Sequence, residues 1–275
     1  MGVNDKVRQI YAETIKKVGR TEKAWAEMLR LAGQIYRYEF DNIIMVYAQK
    51  PRATLVADYD TWKKVGRYVK RGARGIAIFP SRALKPYMRH VFDLSDTAGR
   101  ESALTWQMDE ENLRAFMAYQ VKKGRCEEPE SWDIKVLQNA LKDFTRQEIH
   151  SIIEERESNL SEGTEGIENG FPSITGSRNV IFNEKREGLQ DTGEFGEFAE
   201  KCILYVVGTR CGFELSRQEQ DFVQISKVKD EDMLYRLGSF ICDVSCKVLI
   251  GISNDLSKIE QERRIAYADR NGVQG

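Results

Sequence analysis

The sequence predicts a mainly helical α+β protein with one small antiparallel β-sheet or hairpin unit. Three observations carry that reading. Apolar residues recur at three- and four-residue spacing through both ends of the 275-residue chain. One stretch in between, Gly75-Ile-Ala-Ile-Phe79 and Met88-Arg-His-Val-Phe-Asp-Leu94, has the short apolar and alternating pattern of two paired strands. Turn-forming glycines gather at its entrance, at Gly66, Gly72 and Gly75.

The elements follow in order. Residues 4–18 read as a helix with Val7, Ile10, Tyr11, Ile15 and Val18 on one side. Thr21 is the expected N-cap of a second helix, with Glu22 in its first turn and Trp25, Met28, Leu29, Ala32 and Ile35 as its core stripe. Asp41 is the expected cap of a short apolar helix over 42–48, which Pro51 ends. Asp60 is the expected cap of another short helix through Trp62 and Val65, stopped by Gly66. The strand pair comes next, with 81–86 as its connecting loop, in a small sheet spanning roughly 53–97. Helices return over 109–123, 133–157, 191–213 and 230–269, and a Gly/Ser/Glu-rich loop fills 158–176. On this reading the chain divides into 1–125, which holds the basic hairpin, and 126–275, which is helical and carries the acidic loop.

Bulk composition excludes several classes. Apolar residues make up 41% and charged residues 31%, which fits a soluble globular chain. The formal net charge is −1, so any attraction to nucleic acid must come from uneven placement of charge. No stretch nears the roughly 18 apolar residues of a membrane helix, and residues 1–20 lack the apolar run of a signal peptide. The expected location is the cytoplasm. Five cysteines, with no C-x-x-C among them, read as free thiols of a reducing compartment.

Catalytic signatures are sparse. The two histidines are His90, in a predicted strand, and His150, which is not part of an H-E-x-x-H. No phosphate-binding G-x-x-x-x-G-K-[ST], dinucleotide G-x-G-x-x-G unit or G-x-S-x-G elbow occurs. Asp93 and Asp96 in Phe92-Asp-Leu-Ser-Asp96 are read either as a metal pair or as a strand-end turn formed by Asp and Ser. The expectation is a protein that works by binding, with no enzymatic activity and no cofactor.

The binding signal is a segregation of charge. From Trp62 to His90 there are nine basic residues, Lys63, Lys64, Arg67, Lys70, Arg71, Arg74, Arg82, Lys85 and Arg89, and no acidic one. Such a patch attracts phosphates and releases their counterions. Trp62, Tyr68, Phe79 and Tyr87 interleave with it, and an exposed ring stacks on any unpaired base. Tyr68, Tyr87 and Trp62 are the candidate rings, with Trp62 alternatively a core anchor. Phe79 is read as core. The patch suits single strands, since no recognition helix or zinc finger offers major-groove readout. The competing reading is charge that only solvates a β edge.

A family resemblance rests on Asn42-Ile-Ile-Met-Val-Tyr-Ala-Gln49-Lys-Pro51, Tyr59-Asp-Thr-Trp62, Gly66-Arg-Tyr-Val-Lys-Arg-Gly72-Ala-Arg-Gly75 and Phe92-Asp-Leu-Ser-Asp-Thr97. This order resembles the N-terminal domain of ArdC-type antirestriction proteins and the front end of large proteins of integrative conjugative elements. The resemblance is specific from 40 to 97 and looser afterwards, at Thr105-Trp106 and around Leu237. It implies single-stranded DNA binding, with RNA as the alternative ligand, in a protein of a mobile genetic element such as a conjugative transposon. Asn42 and Gln49 then become candidates to bond sugar or base edges, or else braces of the local fold. The chain departs from ArdC-type proteins in lacking H-E-x-x-H, and from the large element proteins in lacking Walker A and Asn/Asp-Pro-Pro-Tyr motifs. The rival expectation is an anti-CRISPR or antirestriction factor that inhibits a host defence nuclease by protein–protein contact.

Overall fold

The structure is a computed structural model, and it describes residues 3–79, 88–99, 105–161, 192–228 and 230–270. Three helices open the chain: α1 (Val3–Val18), α2 (Glu22–Gln34) and α3 (Phe40–Gln49). Thr21 Oγ1 accepts the Ala24 amide at 3.2 Å and starts α2 as expected. Trp25, Met28, Leu29 and Ala32 are all buried on its inner side. In α1, Val7, Ile15 and Val18 are buried, but Ile10 turns outward and is 39% exposed.

The start of α3 differs from expectation. The helix begins at Phe40 after Glu39, and Asp41 does not cap it. The Asp41 carboxylate instead accepts the Tyr11 hydroxyl from α1 at 2.5 Å, a partner that local sequence does not reveal.

The middle of the chain forms β1 (Val56–Ala57), α4 (Tyr59–Lys64), β2 (Arg67–Val69), β3 (Ile76–Ile78), β4 (Arg89–Asp93) and β5 (Thr97–Gly99). Strands β1, β4 and β3 make an antiparallel sheet in that order, with Ala57 opposite Phe92 and Ala77 opposite His90. Strands β2 and β5 make a separate antiparallel ribbon with Tyr68 opposite Ala98. The expected strand pair is therefore present, and the expected loop over 81–86 lies outside the described residues. Ile76, Ile78 and Val91 point into the core and α3 packs against β3.

The helical remainder comprises α5 (Glu110–Lys122), α6 (Ile134–Ser161), α7 (Thr192–Cys211) and α8 (Glu231–Arg270). Asp109 caps α5 by accepting the Asn112 amide at 2.8 Å. Helix α6 continues to Ser161, so the first residues of the expected 158–176 loop are helical, and 162–176 lie outside the described residues. Helix α8 has 40 residues, a length of about 60 Å at 1.5 Å per residue. Among the described residues no helix is long and apolar enough to cross a membrane.

One apolar core runs through the molecule, from Val7 through Phe116 and Val206 to Ile259. Helix α2 lies against α7, α7 against α8, and α3 touches α8, so the stretches 1–125 and 126–275 share that core. A polar tie reinforces it. The buried carboxylate of Asp255 on α8 accepts Gln120 Nε2 of α5 at 3.1 Å and Arg125 at 2.9 Å. The mainly helical α+β class is thus what the chain adopts, with the small sheet held against a helical body.

Candidate nucleic-acid interface

The candidate surface is built by α4, β2 and the turn after β2. Helix α4 starts at Asp58, not Asp60. Asp58 Oδ1 accepts the Thr61 amide at 2.8 Å, and its other oxygen pairs with Arg89 at 2.8 Å. The Thr61 hydrogen bonds, and then Arg89, hold this carboxyl below its usual range. Both aspartates have cap chemistry; the one that caps is the one that Arg89, arriving from β4, also grips.

Trp62 settles which side of α4 faces inward. It is 1% exposed, and its Nε1 donates to the Phe92 carbonyl of β4 at 3.0 Å. It is therefore a core anchor and cannot stack a base, which corrects one candidate ring. Lys63 and Lys64 follow in the last turn of α4, both exposed. Gly66 at φ +76° then turns the chain into β2.

Within the ribbon the side chains alternate. Arg67 and Val69 are half-buried while Tyr68 is 61% exposed. The residue opposite Tyr68 is Ala98, whose methyl leaves the ring uncovered. Arg67 donates from Nε to Thr97 Oγ1 at 2.8 Å and so braces the ribbon. Lys70 donates to the Ser95 carbonyl at 3.0 Å. A β-turn follows, closed by the Ala73 amide on the Lys70 carbonyl at 3.1 Å, with Gly72 at φ +84° in its third position. That geometry puts Arg71 at the tip; Arg71 is exposed and Arg74 follows the turn.

The nine predicted cations therefore separate into groups. Lys63, Lys64, Arg71 and Arg74 make no ion pair or side-chain hydrogen bond among the described residues. Arg67, Lys70 and Arg89 have internal partners. Arg82, Lys85 and the candidate ring Tyr87 lie outside the described residues. Phe79 is half-buried and packs edge-on against Tyr11 at 5.6 Å, in keeping with a core role.

Asn42 and Gln49 are braces. Both project from α3 onto the outer edge of β3. The Gln49 amide pairs with Ala77 in both directions, accepting its N–H at 2.9 Å and donating to its C=O at 2.8 Å. Asn42, 8% exposed, accepts the Phe79 amide at 2.8 Å. Their side chains occupy the backbone groups that another strand would take, which corrects their candidacy as contacts to bases or sugars.

The Asp93–Asp96 pair is a structural knot. Asp93 is 1% exposed and accepts Thr54 N at 2.8 Å, Leu55 N at 3.2 Å, Ser95 N at 3.0 Å and Ser95 Oγ at 2.5 Å. Lys50 reaches Asp96 at 2.7 Å and Asp93 at 3.5 Å. Burial works to raise the Asp93 pKa, but the bonds from Ser95, Thr54 and Leu55 outweigh it and leave it lowered. This is the turn reading of the motif. Among the described residues no cluster of three or more His, Cys, Asp or Glu side chains is placed to hold a metal.

Two residues of this region escaped the sequence reading. Arg52, beside the α3–β1 junction, is exposed and unpaired among the described residues, and Tyr59 is 55% exposed at the start of α4. Arg52 lies ten residues before the basic run begins, outside the stretch over which the charge is segregated. Tyr59 stands one helical turn before Lys63, and its exposure is visible only in the folded chain.

These features define a helical body that displays a small β module with unpaired cations and bare tyrosine rings. Residues 4–124, which contain all of that module, match the model of the N-terminal domain of anti-restriction factor ArdC. The match marks the chain as antirestriction-related. No curated protein and no solved structure matches it.

Proposed function

We propose that this protein binds single-stranded nucleic acid, single-stranded DNA foremost, on the surface formed by α4, β2 and the 70–73 turn, and that it serves antirestriction by binding and not by catalysis. One observation carries the reading. A bare ring, Tyr68, stands between two pairs of cations, Lys63–Lys64 and Arg71–Arg74, that the described fold leaves without counter-charges. A cation already paired inside the protein gains little from a phosphate, whereas an unpaired one releases counterions in full.

The dimensions support the reading. Lys64 and Arg71 are seven residues apart, at most about 25 Å of chain. A strand lying along β2 would meet cations at both ends and the ring between them. A duplex hides its base faces and leaves Tyr68 nothing to stack on. The four acidic residues of the module do not cancel the field, because Asp58, Asp93 and Asp96 are paired with Arg89 and Lys50. Asp60 alone remains exposed among them.

The test is fluorescence anisotropy with a labelled oligonucleotide, free and annealed to its complement, at one salt concentration. The proposal predicts tighter binding of the free strand. Equal affinity for blunt duplex, or no binding of either, contradicts it.

The match to an anti-restriction factor also favours a second reading, in which the protein of a mobile element contacts a host defence nuclease directly, as an antirestriction or anti-CRISPR factor. Capture of a purified restriction nuclease that survives digestion of all nucleic acid would support that reading over the first.

A further inference from the structure

We infer that Tyr59 is a second base-stacking ring, so that α4 and β2 together seat two unpaired bases of one strand. This rests on the proposed single-strand surface and extends it to a residue outside the basic run.

The described tyrosines of this part of the molecule fall into two sets. Tyr11, Tyr38 and Tyr47 each give their hydroxyl to a protein acceptor: Asp41 at 2.5 Å, the Val56 carbonyl at 3.0 Å and Glu27 at 2.8 Å. Tyr36 accepts the Trp106 indole N–H at 3.2 Å. These rings belong to the fold. Tyr59 and Tyr68 have no hydrogen bond or ring contact among the described residues, and they are 55% and 61% exposed. A single exposed ring is ordinary. Here two occur on one packed helix–strand pair, with Lys63 and Lys64 between them in the chain.

Position and rigidity strengthen the case. Tyr59 is the first residue of α4, and the start of that helix is fixed by Asp58, which is held by Thr61 and Arg89. Trp62 anchors the inner side to the Phe92 carbonyl of β4. Tyr59 is one turn before Lys63 and so shares its side of the helix. A phosphate held by Lys63 therefore has a ring beside it for the adjoining base. Beyond Tyr68 the chain reaches Arg71 within three residues, an exposed cation with no partner among the described residues. Each ring thus has an unpaired basic residue three or four positions along the chain, Lys63 for Tyr59 and Arg71 for Tyr68, the pattern of a stacking platform paired with a backbone contact. The ligand class is an unpaired dinucleotide step, of DNA or of RNA.

The experiment uses the full chain with labelled oligothymidylate across a salt series. Tyr59→Ala is expected to weaken binding about five- to hundredfold with the log–log salt slope unchanged, since the variant removes a ring and keeps every charge. Tyr59→Phe should restore most of the affinity. In Tyr59→Trp, emission beyond that of the parent chain should be quenched when the oligonucleotide is added. Circular dichroism checks that each variant is folded. If Tyr59→Ala binds as tightly as the parent while Tyr68→Ala is weakened, Tyr59 is merely exposed and the inference is wrong. If the parent chain fails to bind oligothymidylate at all, the functional reading fails first and this one with it.

Discussion

Trp62 and Tyr68 are six residues apart and of similar chemistry, yet their environments assign them opposite roles. The Trp62 indole is buried against β4, so Trp62→Ala should cost about 3–5 kcal/mol of stability. Tyr68→Ala should leave the denaturation midpoint nearly unchanged, within about 0.5 kcal/mol, while weakening oligonucleotide binding. Urea unfolding of both variants beside a binding titration separates the two effects. A large stability loss in Tyr68→Ala would show that its ring is part of the core.

Two carboxylates make a pH prediction at the same scale. Asp93 is lowered by its bonds to Ser95, Thr54 and Leu55, which outweigh its burial. Glu219 is also partly desolvated, but Lys142 at 2.6 Å and the Ser216 amide at 2.7 Å bring it from 4.5 to about 2. A folded-state pKa below the unfolded one stabilises the protein above the unfolded value, and that stability is lost as pH falls through the folded value. Stability should therefore hold above about pH 5 and decline from there toward pH 2. Glu219→Gln should flatten the lower part of that decline in urea titrations at stepped pH. An identical acid limb in the variant would refute the role given to Glu219.

At the scale of elements, the edge of β3 is closed by a helix and not by another strand. The Gln49 amide takes both backbone groups of Ala77, and Asn42 takes the Phe79 amide. Gln49→Ala should cost about 1–2 kcal/mol and expose the Ala77 amide to exchange, with the amides of α7 still protected. Hydrogen exchange resolved at Ala77 decides this, and undiminished protection there would mean that Gln49 is dispensable to the edge.

The legibility of the fold follows the same line between local and distant causes. Helices α1, α2 and α5 through α8 were readable because burial repeats every three to four residues along one segment, and Thr21 caps from within its own turn. The choice of Asp58 over Asp60 as cap was not readable, because Arg89 reinforces it from thirty-one residues away. Asp41 is likewise taken by Tyr11. In the candidate site, sequence displayed every charge but not its pairing. Thr97 and Ser95 occupy Arg67 and Lys70 only after β5 has docked on β2. What survives as a candidate binding surface is the subset of cations for which folding supplies no partner among the described residues.

At the scale of the whole molecule, a chain of net charge −1 keeps a cationic module on a body that is otherwise balanced by ion pairs such as Lys142–Glu219 and Arg125–Asp255. The charge that acts on a ligand is then local and short-ranged, within a Debye length of about 10 Å at 0.1 M salt. The shared core from α1 to α8 gives that module a rigid base. The salt dependence of single-strand binding reports most directly on where the strand is held, when the parent chain is compared with a variant in which Lys63, Lys64, Arg71 and Arg74 are all changed to Gln. A strand on the cationic module should give the variant weaker binding at low salt. Its log–log slope should be shallower by about 0.7 for each phosphate that is no longer neutralised, up to about 3 in all. Equal slopes and equal affinities in the two proteins would contradict that placement, because the strand would then be held somewhere other than on α4, β2 and the turn between β2 and β3.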